Sequence, residues 1–262
     1  MSVKLSAAIM TFNEERNIAR CLQSLQGVVD EIVVVDSYST DKTEEICKSF
    51  GVRFIQHPFE GYIEQRKYSI AQAEYDYVLA IDADEELSGK LKKSILEVKQ
   101  NWTHDGYTFN RMTNFWGSWI RHGGWYPDRK MRLFDRRKAC SAGINPHDRI
   151  AIVEGGSEKH IKGDLLHYSY YTMFEFIAQQ NKFTDIASLE YYKRGRKSPS
   201  LCSIWIRSIW KFVRDYFFRW GFLDGYTGYI VCKLSANVTF IKYAKLRQLH
   251  DLEKKQKKTN PN

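Results

Sequence analysis

Two aspartates one residue apart, Asp82 and Asp84, are placed where a metal-assisted reaction would need them. They follow an apolar run, and Glu85 and Glu86 come directly after them. Hard cations such as Mg²⁺ and Mn²⁺ take oxygen ligands and commonly bridge one or two carboxylates to the phosphates of a substrate. Both carboxylates can reach one ligand beyond the sheet edge if the strand ends there and the chain turns. The four acids in five residues favour such a turn, and a merely solvated turn is the structural alternative.

Other polar groups also follow predicted strands. Thr11, Asn13 and Glu14 come after the apolar start of the chain, and Asp36 ends a β-branched run. A carboxylate at the position of Asp36 can accept a hydrogen bond from a nucleobase N–H or a ribose hydroxyl, or it can cap the following helix. Ligands of open α/β sheets bind outside the carboxyl ends of the strands. These groups and Asp82–Asp84 are therefore expected to converge on one edge of a sheet.

The elements that must position these groups alternate between strand and helix. Short apolar runs predict strands at residues 3–8, 31–35, 52–55 and 77–81, and later at 107–110 and 130–134. Apolar residues at helical spacing predict intervening helices, the first capped by Asn13, and a long helix that ends near Tyr192. Such alternation implies right-handed crossovers and an α/β fold, with a mainly parallel sheet sandwiched by helices.

Composition and charge exclude several classes of protein. The five cysteines are scattered and form no C-x-x-C pair, which argues against a disulfide framework or zinc ribbon and fits a reducing cytoplasm. No stretch approaches the roughly 18 apolar residues of a membrane span. Residues 1–90 carry 9 Lys or Arg against 16 Asp or Glu, whereas residues 191–262 carry 16 against 4. The basic end suggests an anionic partner, either nucleic acid or a lipid surface.

Three segments, taken in their order and spacing, resemble the nucleotide-sugar half of family 2 inverting glycosyltransferases with the GT-A fold. They are residues 11–15 (TFNEE), 34–43 (VVDSYSTDKT) and 82–85 (DADE). Further segments are similar to those of the lipopolysaccharide-core β-glucosyltransferases, namely residues 124–128 with 132–134, 167–170 and 221–225. The resemblance thus covers most of the chain.

The resemblance implies a role for each matching residue. Thr11, Asn13, Glu14 and Asp36 would contact the nucleoside, Arg66 the nucleotide, and Asp82, Ala83 and Asp84 the diphosphate and its Mn²⁺ or Mg²⁺. Arg132 is expected to neutralise the pyrophosphate or an anionic acceptor. His167 is a further candidate metal ligand, because imidazole suits Mn²⁺, and a structural role is its alternative.

An inverting transfer also needs a base that takes the proton of the acceptor hydroxyl. We expect Asp148 to be this base and Asp128 to be the second candidate. The alternative for Asp148 is a structural ion pair with Arg149 or Arg132. The resemblance also suggests UDP-glucose as donor and a lipid-linked or lipopolysaccharide-core sugar as acceptor.

The predicted catalytic domain spans residues 1–192, with its nucleotide-sugar half at 1–100 and its acceptor half at 101–192. Residues 193–262 form a basic, aromatic, helical appendage. Within it, residues 201–220 combine basic and aromatic side chains at a density that fits a helix lying in an anionic membrane interface. Docking on the catalytic core is the alternative. We therefore predict a cytoplasmic protein, peripheral on the inner face of the cytoplasmic membrane.

Two other functions are open on sequence alone. A nucleotidyltransferase can also use an acidic metal pair on an α/β sheet, but it should show a Gly-rich, basic loop where this chain has residues 11–15. A nucleic-acid binder would account for the basic end, yet it leaves the acidic residues 1–90 unexplained. We therefore expect no nucleic-acid partner.

Overall fold

Strands and helices alternate along the first hundred residues, as the sequence predicts. The computed structural model describes residues 2–144 and 147–259, with side chains except those of residues 141–148 and 257–259. The strands are β1 (Leu5–Thr11), β2 (Glu31–Asp36), β3 (Arg53–Gln56), β4 (Tyr77–Asp82), β5 (Glu85–Leu87), β6 (Gly106–Phe115), β7 (Ser118–Trp119), β8 (Asp128–Asp135), β9 (Ala139–Ile144), β10 (His147–Ile152) and β11 (Glu158–Tyr170). The helices are α1 (Ile18–Leu25), α2 (Thr43–Ser49), α3 (Tyr62–Ala71), α4 (Gly89–Gln100), α5 (Met173–Lys193), α6 (Leu201–Val213) and α7 (Gly225–Thr259).

The first half of the main sheet is parallel, in the order β3-β2-β1-β4. Its two central strands are made of small and β-branched apolar residues, a composition typical of strands that are covered on both faces. One face packs on α1 and α4, through Ala7, Ile9, Leu79 and Ile81. The opposite face packs next to α3, through Ala8, Val33, Val78 and Ala80. The sheet is therefore sandwiched by helices.

The second half of the sheet continues from β4 through β8, β6, β11 and β5. The pairs β4–β8, β8–β6 and β11–β5 are antiparallel. Strands β9 and β10 form a separate antiparallel pair. The α/β fold class is confirmed, with the parallel strands collected in the half that carries residues 11, 36 and 82.

One helix cap differs from the prediction. Helix α1 begins at Ile18, and its N-cap residue is Asn17 rather than Asn13. Asn13 instead has a left-handed backbone with φ of 54°. Asparagine tolerates this conformation because its short side chain can bond to nearby backbone groups. The loop after β1 therefore turns sharply before the helix starts.

Strand β11 is fixed closely against the start of α4. The Ser88 hydroxyl, which caps α4 by accepting a hydrogen bond from Leu91 N, also accepts one from Asp164 N at 3.1 Å. The neighbouring Gly163 has φ of +108°, and a Cβ there would lie 2.4 Å from the backbone nitrogen of Leu91. Only glycine fits this crossing without displacing backbone.

The described chain divides into two compact units. The first comprises Met1–Asn114 and Pro127–Ser169, and the second comprises Phe115–Tyr126 and Tyr170–Asn262. The predicted boundary after residue 192 stays a prediction. In the second unit α5 and α6 pack along α7, and a π-helix (Arg214–Phe218) and a 3₁₀-helix (Gly221–Asp224) join α6 to α7. None of the helices in the described ranges has an apolar stretch long enough to cross a bilayer.

Candidate functional site

The carboxyl ends of β1, β2 and β4 lie at one level of the sheet. Thr11 is paired with Asp36 across β1 and β2, and Met10 is paired with Asp82 across β1 and β4. The polar residues that follow these strands are therefore neighbours, as the sequence predicts. All groups described in this subsection belong to the first compact unit.

The chain turns directly after Asp82, at Ala83 and Asp84, and β5 then starts at Glu85. The buried Glu85 carboxylate accepts a hydrogen bond from the backbone nitrogen of Asp82 at 2.9 Å. The Asp84 carbonyl oxygen accepts one from Tyr168 N at 2.9 Å. These bonds fix the turn from both sides, so that the two aspartates meet different neighbours.

Asp82 is held by two arginines. Its Oδ1 lies 2.5 Å from Nη2 of Arg66, and its Oδ2 lies 3.2 Å from Nη2 of Arg132. Both arginines are almost fully buried, with 1% and 4% of their surface exposed. Burial alone would raise the pKa of Asp82, but the guanidinium groups of Arg66 and Arg132 hold this pKa well below its ordinary value. Asp82 is thus an ionised carboxylate with a cation on each oxygen.

Asp84 meets His167 instead. The Asp84 Oδ2 and the His167 Nε2 are 3.1 Å apart. His167 lies on β11 opposite Glu85, and the Ser169 hydroxyl is 2.7 Å from its Nδ1 and 2.8 Å from its Nε2. Ser169 and Asp84 together orient the imidazole ring.

A divalent cation fits this pair of donors. Carboxylate oxygen and imidazole nitrogen are both ligands of Mn²⁺, and cations in nucleotide sites complete their coordination with phosphate oxygens and water. No group of three or more His, Cys, Asp or Glu ligands occurs in the described part of the chain. Asp84 and His167 would therefore supply two ligands and leave the other positions to a diphosphate.

Glu14 adds negative charge near the same turn. Burial and the nearby Asp84 carboxylate raise the pKa of Glu14 to about 7, against a hydrogen bond from Asn17 that lowers this pKa. The Asn17 side chain donates that bond to Oε2 of Glu14 at 2.8 Å. A carboxylate whose ionisation is suppressed by other carboxylates marks a place where a cation would be stabilised.

The loops after β1 and β2 are tied to each other. Both Asp36 oxygens accept hydrogen bonds from Ser39, at 2.7 Å from its nitrogen and 2.5 Å from its hydroxyl. The Ser39 hydroxyl also accepts a bond from Asn13 N, and the Asn13 side chain accepts one from Thr40 N, each at 2.8 Å. Asp36 therefore stabilises the turn after β2, but it does not cap helix α2, whose N-cap residue is Lys42.

Thr11 lies beside this loop network at the end of β1. It is 5% exposed, and within the described residues its buried hydroxyl oxygen has no hydrogen-bond partner. Because such a group usually has a partner, this hydroxyl is a candidate contact for a bound nucleoside.

The two candidate bases are not equally visible. Asp128 on β8 contacts Nη2 of Arg111 at 2.9 Å through one oxygen and Nζ of Lys130 at 3.1 Å through the other. Asp148 lies on β10, but its side chain is outside the described residues. Asp128 is therefore seen as an ion-paired strand residue, and the prediction for Asp148 stays a prediction.

Sequence reasoning missed Arg111. Its guanidinium bonds Asp128 and also reaches Oε1 of Glu85 at 3.5 Å. Burial and the neighbouring Asp82 raise the pKa of Glu85, while Arg111 and Arg132 oppose that rise. Arg111 is paired with Asp128 across β6 and β8, a register that no local pattern in the sequence reveals.

Comparison with known proteins identifies the family of the chain. Residues 6–162 match the model of Glycosyl transferase family 2. A protein of Rickettsia bellii described as an uncharacterized glycosyltransferase is 31% identical over 95% of this chain and 88% of its own length. The lipopolysaccharide core biosynthesis glycosyltransferase LpsC of Rhizobium meliloti is 29% identical over 95% of this chain and 94% of its own length.

Among solved structures, the chain is 25% identical to glucosyl-3-phosphoglycerate synthase from Mycobacterium tuberculosis, with a TM-score of 0.35. That likeness covers 43% of this chain and 44% of the synthase chain, less than half of either. The family match and the two sequence relatives confirm the resemblance in the sequence to glycosyltransferases, including one of lipopolysaccharide-core biosynthesis. The chain belongs to glycosyl transferase family 2.

Proposed function

We propose that the protein transfers a hexose from a UDP-sugar to a lipid-linked or lipopolysaccharide-core glycan, with inversion at the sugar and with a divalent metal. Glucose is the first donor sugar to test. The observation that supports the metal dependence is the 3.1 Å approach of the Asp84 carboxylate to the His167 imidazole at the carboxyl edge of the sheet. The relative LpsC supports the choice of acceptor.

In this proposal Asp84 and His167 hold Mn²⁺ or Mg²⁺. A cation bound there would supply positive charge beside the departing diphosphate. This charge would stabilise the negative charge that develops as the bond between the sugar and the diphosphate breaks. Asp82 has a different task from the one the sequence suggested. Because Arg66 and Arg132 already occupy its two oxygens, it fixes these arginines at the site rather than binding the metal.

The remaining residues at the strand ends would bind the nucleoside. The Thr11 hydroxyl is the group offered to the base and ribose, and Asp36 and Asn13 hold the loops beside it. Glu14 lies where ionisation is costly, so a bound cation would lower its pKa and favour its charged form. Arg132 would add positive charge on the diphosphate side.

We propose Asp148 as the base that takes the proton from the acceptor hydroxyl. We prefer Asp148 to Asp128 because both oxygens of Asp128 are in ion pairs, one with Arg111 and the other with Lys130. An ion pair on each oxygen restricts the approach of an acceptor hydroxyl to Asp128. Asp128 is therefore the second candidate.

The first test is metal-dependent donor binding, measured as the thermal shift caused by UDP-sugars with and without Mn²⁺. Wild-type protein should bind the donor with Mn²⁺ and lose that binding with a chelator. Asp84→Asn and His167→Gln should each weaken the Mn²⁺-dependent binding by at least about tenfold. Loss of a residue that only hydrogen-bonds a metal ligand already lowers metal affinity by this factor.

Matched controls change the same residue types outside the proposed metal site. Asp76→Asn changes a half-buried aspartate just before the start of β4, and His160→Gln changes an exposed histidine on β11. Both controls should bind the donor as the wild type does. Donor binding that survives both chelation and Asp84→Asn would rule out the proposed metal site.

The second test concerns the base. Asp148→Asn should retain donor binding but lower the transfer rate by roughly 10² to 10⁴, the usual contribution of a general base. Asp128→Asn should change the rate less. An unchanged rate in Asp148→Asn, together with a large loss in Asp128→Asn, would assign the base to Asp128.

Peripheral membrane association is part of the same proposal. The acceptor class is membrane-bound, and the basic region at residues 191–262 has 16 basic against 4 acidic residues. Such an excess of Lys and Arg attracts a protein to anionic lipid. We propose that the protein works at the inner face of the cytoplasmic membrane.

A further inference from the structure

Helix α6 exposes an apolar face. Two pairs of large apolar residues lie one helical turn apart, Trp205 with Ile209 and Ile206 with Trp210. Their exposed fractions are 57% and 57% in the first pair and 60% and 55% in the second. The opposite side of the helix is buried against α7, where the Ser208 hydroxyl donates a hydrogen bond to the Ala236 carbonyl oxygen at 2.8 Å. A surface helix normally turns its apolar stripe inward. Here the packed side includes serine, and large apolar side chains remain exposed, one of which, Trp205, also contacts the Phe240 ring of α7 at a centroid distance of 5.1 Å.

The apolar surface continues beyond the helix. The rings of Trp210 and Phe218 lie with centroids 5.9 Å apart, which links α6 to the π-helix that follows it. Phe217, Phe218 and Trp220 are 54%, 67% and 59% exposed. We name these three residues and the four on α6 the aromatic face. A single exposed Trp needs no explanation, but a contiguous apolar patch marks a binding surface.

Basic side chains accompany the aromatic face. Lys211, Arg214 and Arg219 surround the buried Asp215, with their nitrogens at 2.5, 2.9 and 3.8 Å from its oxygens. One carboxylate cannot neutralise three cations, so the cluster keeps a net positive charge. Arg207 adds a further exposed cation on the same helix. The surface thus combines exposed indole and aliphatic groups with positive charge.

We propose that the aromatic face lies in the headgroup region of a bilayer that contains anionic lipid. Tryptophan is favoured at the membrane interface because its ring is apolar and its N–H is polar, and arginine binds lipid phosphate. A helix that combines these groups lies in the plane of the interface with its apolar side chains in the acyl boundary. This inference rests on the proposed function in one respect, the choice of an anionic membrane as the partner.

The test uses full-length protein and sedimentation with vesicles of phosphatidylglycerol and phosphatidylcholine. Wild-type protein should bind them, and lipids brominated in the acyl chain should quench its tryptophan emission. Ile206→Glu combined with Ile209→Glu should weaken binding by roughly tenfold or more, because two charged groups replace inserted aliphatic ones. Both positions are exposed, so the fold should be retained, which circular dichroism checks.

The matched control is Ile177→Glu, which changes a side chain that is 55% exposed on α5, outside the aromatic face. It should bind vesicles like the wild type. Equal binding by the wild type and the double variant, or absence of quenching in the wild type, would overturn the proposal. A wild-type dimer that the double variant converts to monomer, without vesicle binding by either, would instead assign the face to a second copy of the chain and equally overturn it.

Donor binding separates this inference from the proposed function. The double variant should give the same UDP-sugar thermal shift with Mn²⁺ as the wild type. If neither protein binds a nucleotide sugar but only the wild type binds vesicles, the proposed function fails and the membrane surface stands.

Discussion

Asp82 and Asp84 are one residue apart and have the same side chain, but their surroundings give them different chemistry. Asp82 is held by two buried arginines, whereas Asp84 faces an imidazole. The turn at Ala83 is the cause, because it aims Asp82 at α3 and β8 and aims Asp84 at β11. The sequence predicts the turn from its density of acids, but it does not reveal which aspartate an arginine will take.

The same point explains what the sequence missed at this scale. The sequence suggested that Arg66 binds the nucleotide. In the structure Arg66 is 1% exposed and forms an ion pair with Asp82. Arg111 carried no signal, since its partners Glu85 and Asp128 are 26 and 17 residues away in the chain. Strand-end polar groups can be predicted from sequence, because each follows its own apolar run. Their pairing depends on strand register, which local patterns do not encode.

Glu14 gives the site a pH dependence. Its pKa is about 7 in the folded protein against an ordinary value of 4.5, so the folded state binds the proton more tightly. The contribution of Glu14 to the free energy of unfolding is therefore fully present below about pH 4.5 and is lost as the pH rises through about 7. Glu14→Gln removes this dependence while keeping an oxygen that accepts the bond from Asn17.

The expected result is a gain in the stability of Glu14→Gln relative to wild type between pH 5 and 8, on the order of 2 kcal/mol. Urea unfolding at several pH values without metal measures it. The exposed Glu60→Gln is the control and should track the wild type. A constant difference between Glu14→Gln and wild type across this range would contradict the assigned pKa.

At the scale of elements, the parallel strands were predictable and the antiparallel ones only in part. Strands β1, β2, β3 and β4 are short apolar runs, and the predicted spans agree with the observed bounds to within a few residues. Strands β5 and β11 escaped prediction, because β5 has only three residues and its partner lies about eighty positions further on. Their pairing is what brings His167 to Asp84.

The crossing of β11 over α4 is the element contact on which His167 depends, and it leads to a stability prediction. Gly163→Ala should lower the free energy of unfolding by more than about 2 kcal/mol, because the added methyl group meets the Leu91 backbone at a positive φ. Urea unfolding measures this loss.

Gly155→Ala is the matched control, since Gly155 has φ of +80° but nothing within 4 Å of an added Cβ. It should lose about 1 kcal/mol, from backbone strain alone. Equal losses in the two variants would mean that the close approach of β11 to α4 contributes nothing to stability.

For the whole molecule, charge is the property that sequence predicts best, because it needs no knowledge of contacts. The acidic excess of residues 1–90 accompanies the sheet edge proposed to bind a cation, and the basic excess of residues 191–262 accompanies the aromatic face. The division into units was less predictable. Residues 115–126 belong with the helices of the second unit, a long-range association that leaves no mark on composition.

The uneven charge predicts that salt weakens vesicle binding. Raising NaCl from about 0.1 M to about 1 M shortens the screening length from about 10 Å to about 3 Å. Affinity for vesicles with phosphatidylglycerol should fall by roughly tenfold or more, since each Lys or Arg near the surface contributes about 1 kcal/mol. Sedimentation at several salt concentrations measures this, with phosphatidylcholine vesicles as the control. Salt-independent binding to the anionic vesicles would exclude an electrostatic contribution.

The position of β1 in the sheet has a consequence for how the protein is made. This strand leaves the ribosome before β2 and β4, yet it lies between them in the sheet, and β4 ends only at Asp82. At about 5–20 residues per second, one edge of β1 waits a few seconds after β2 has emerged before its second partner exists. During that interval an apolar strand, with Leu5 and Ile9 fully buried in the finished fold, offers its backbone to any neighbouring nascent chain. Slower translation between residues 36 and 77 would lengthen this exposure, so the yield of folded protein should depend on codon choice in that interval.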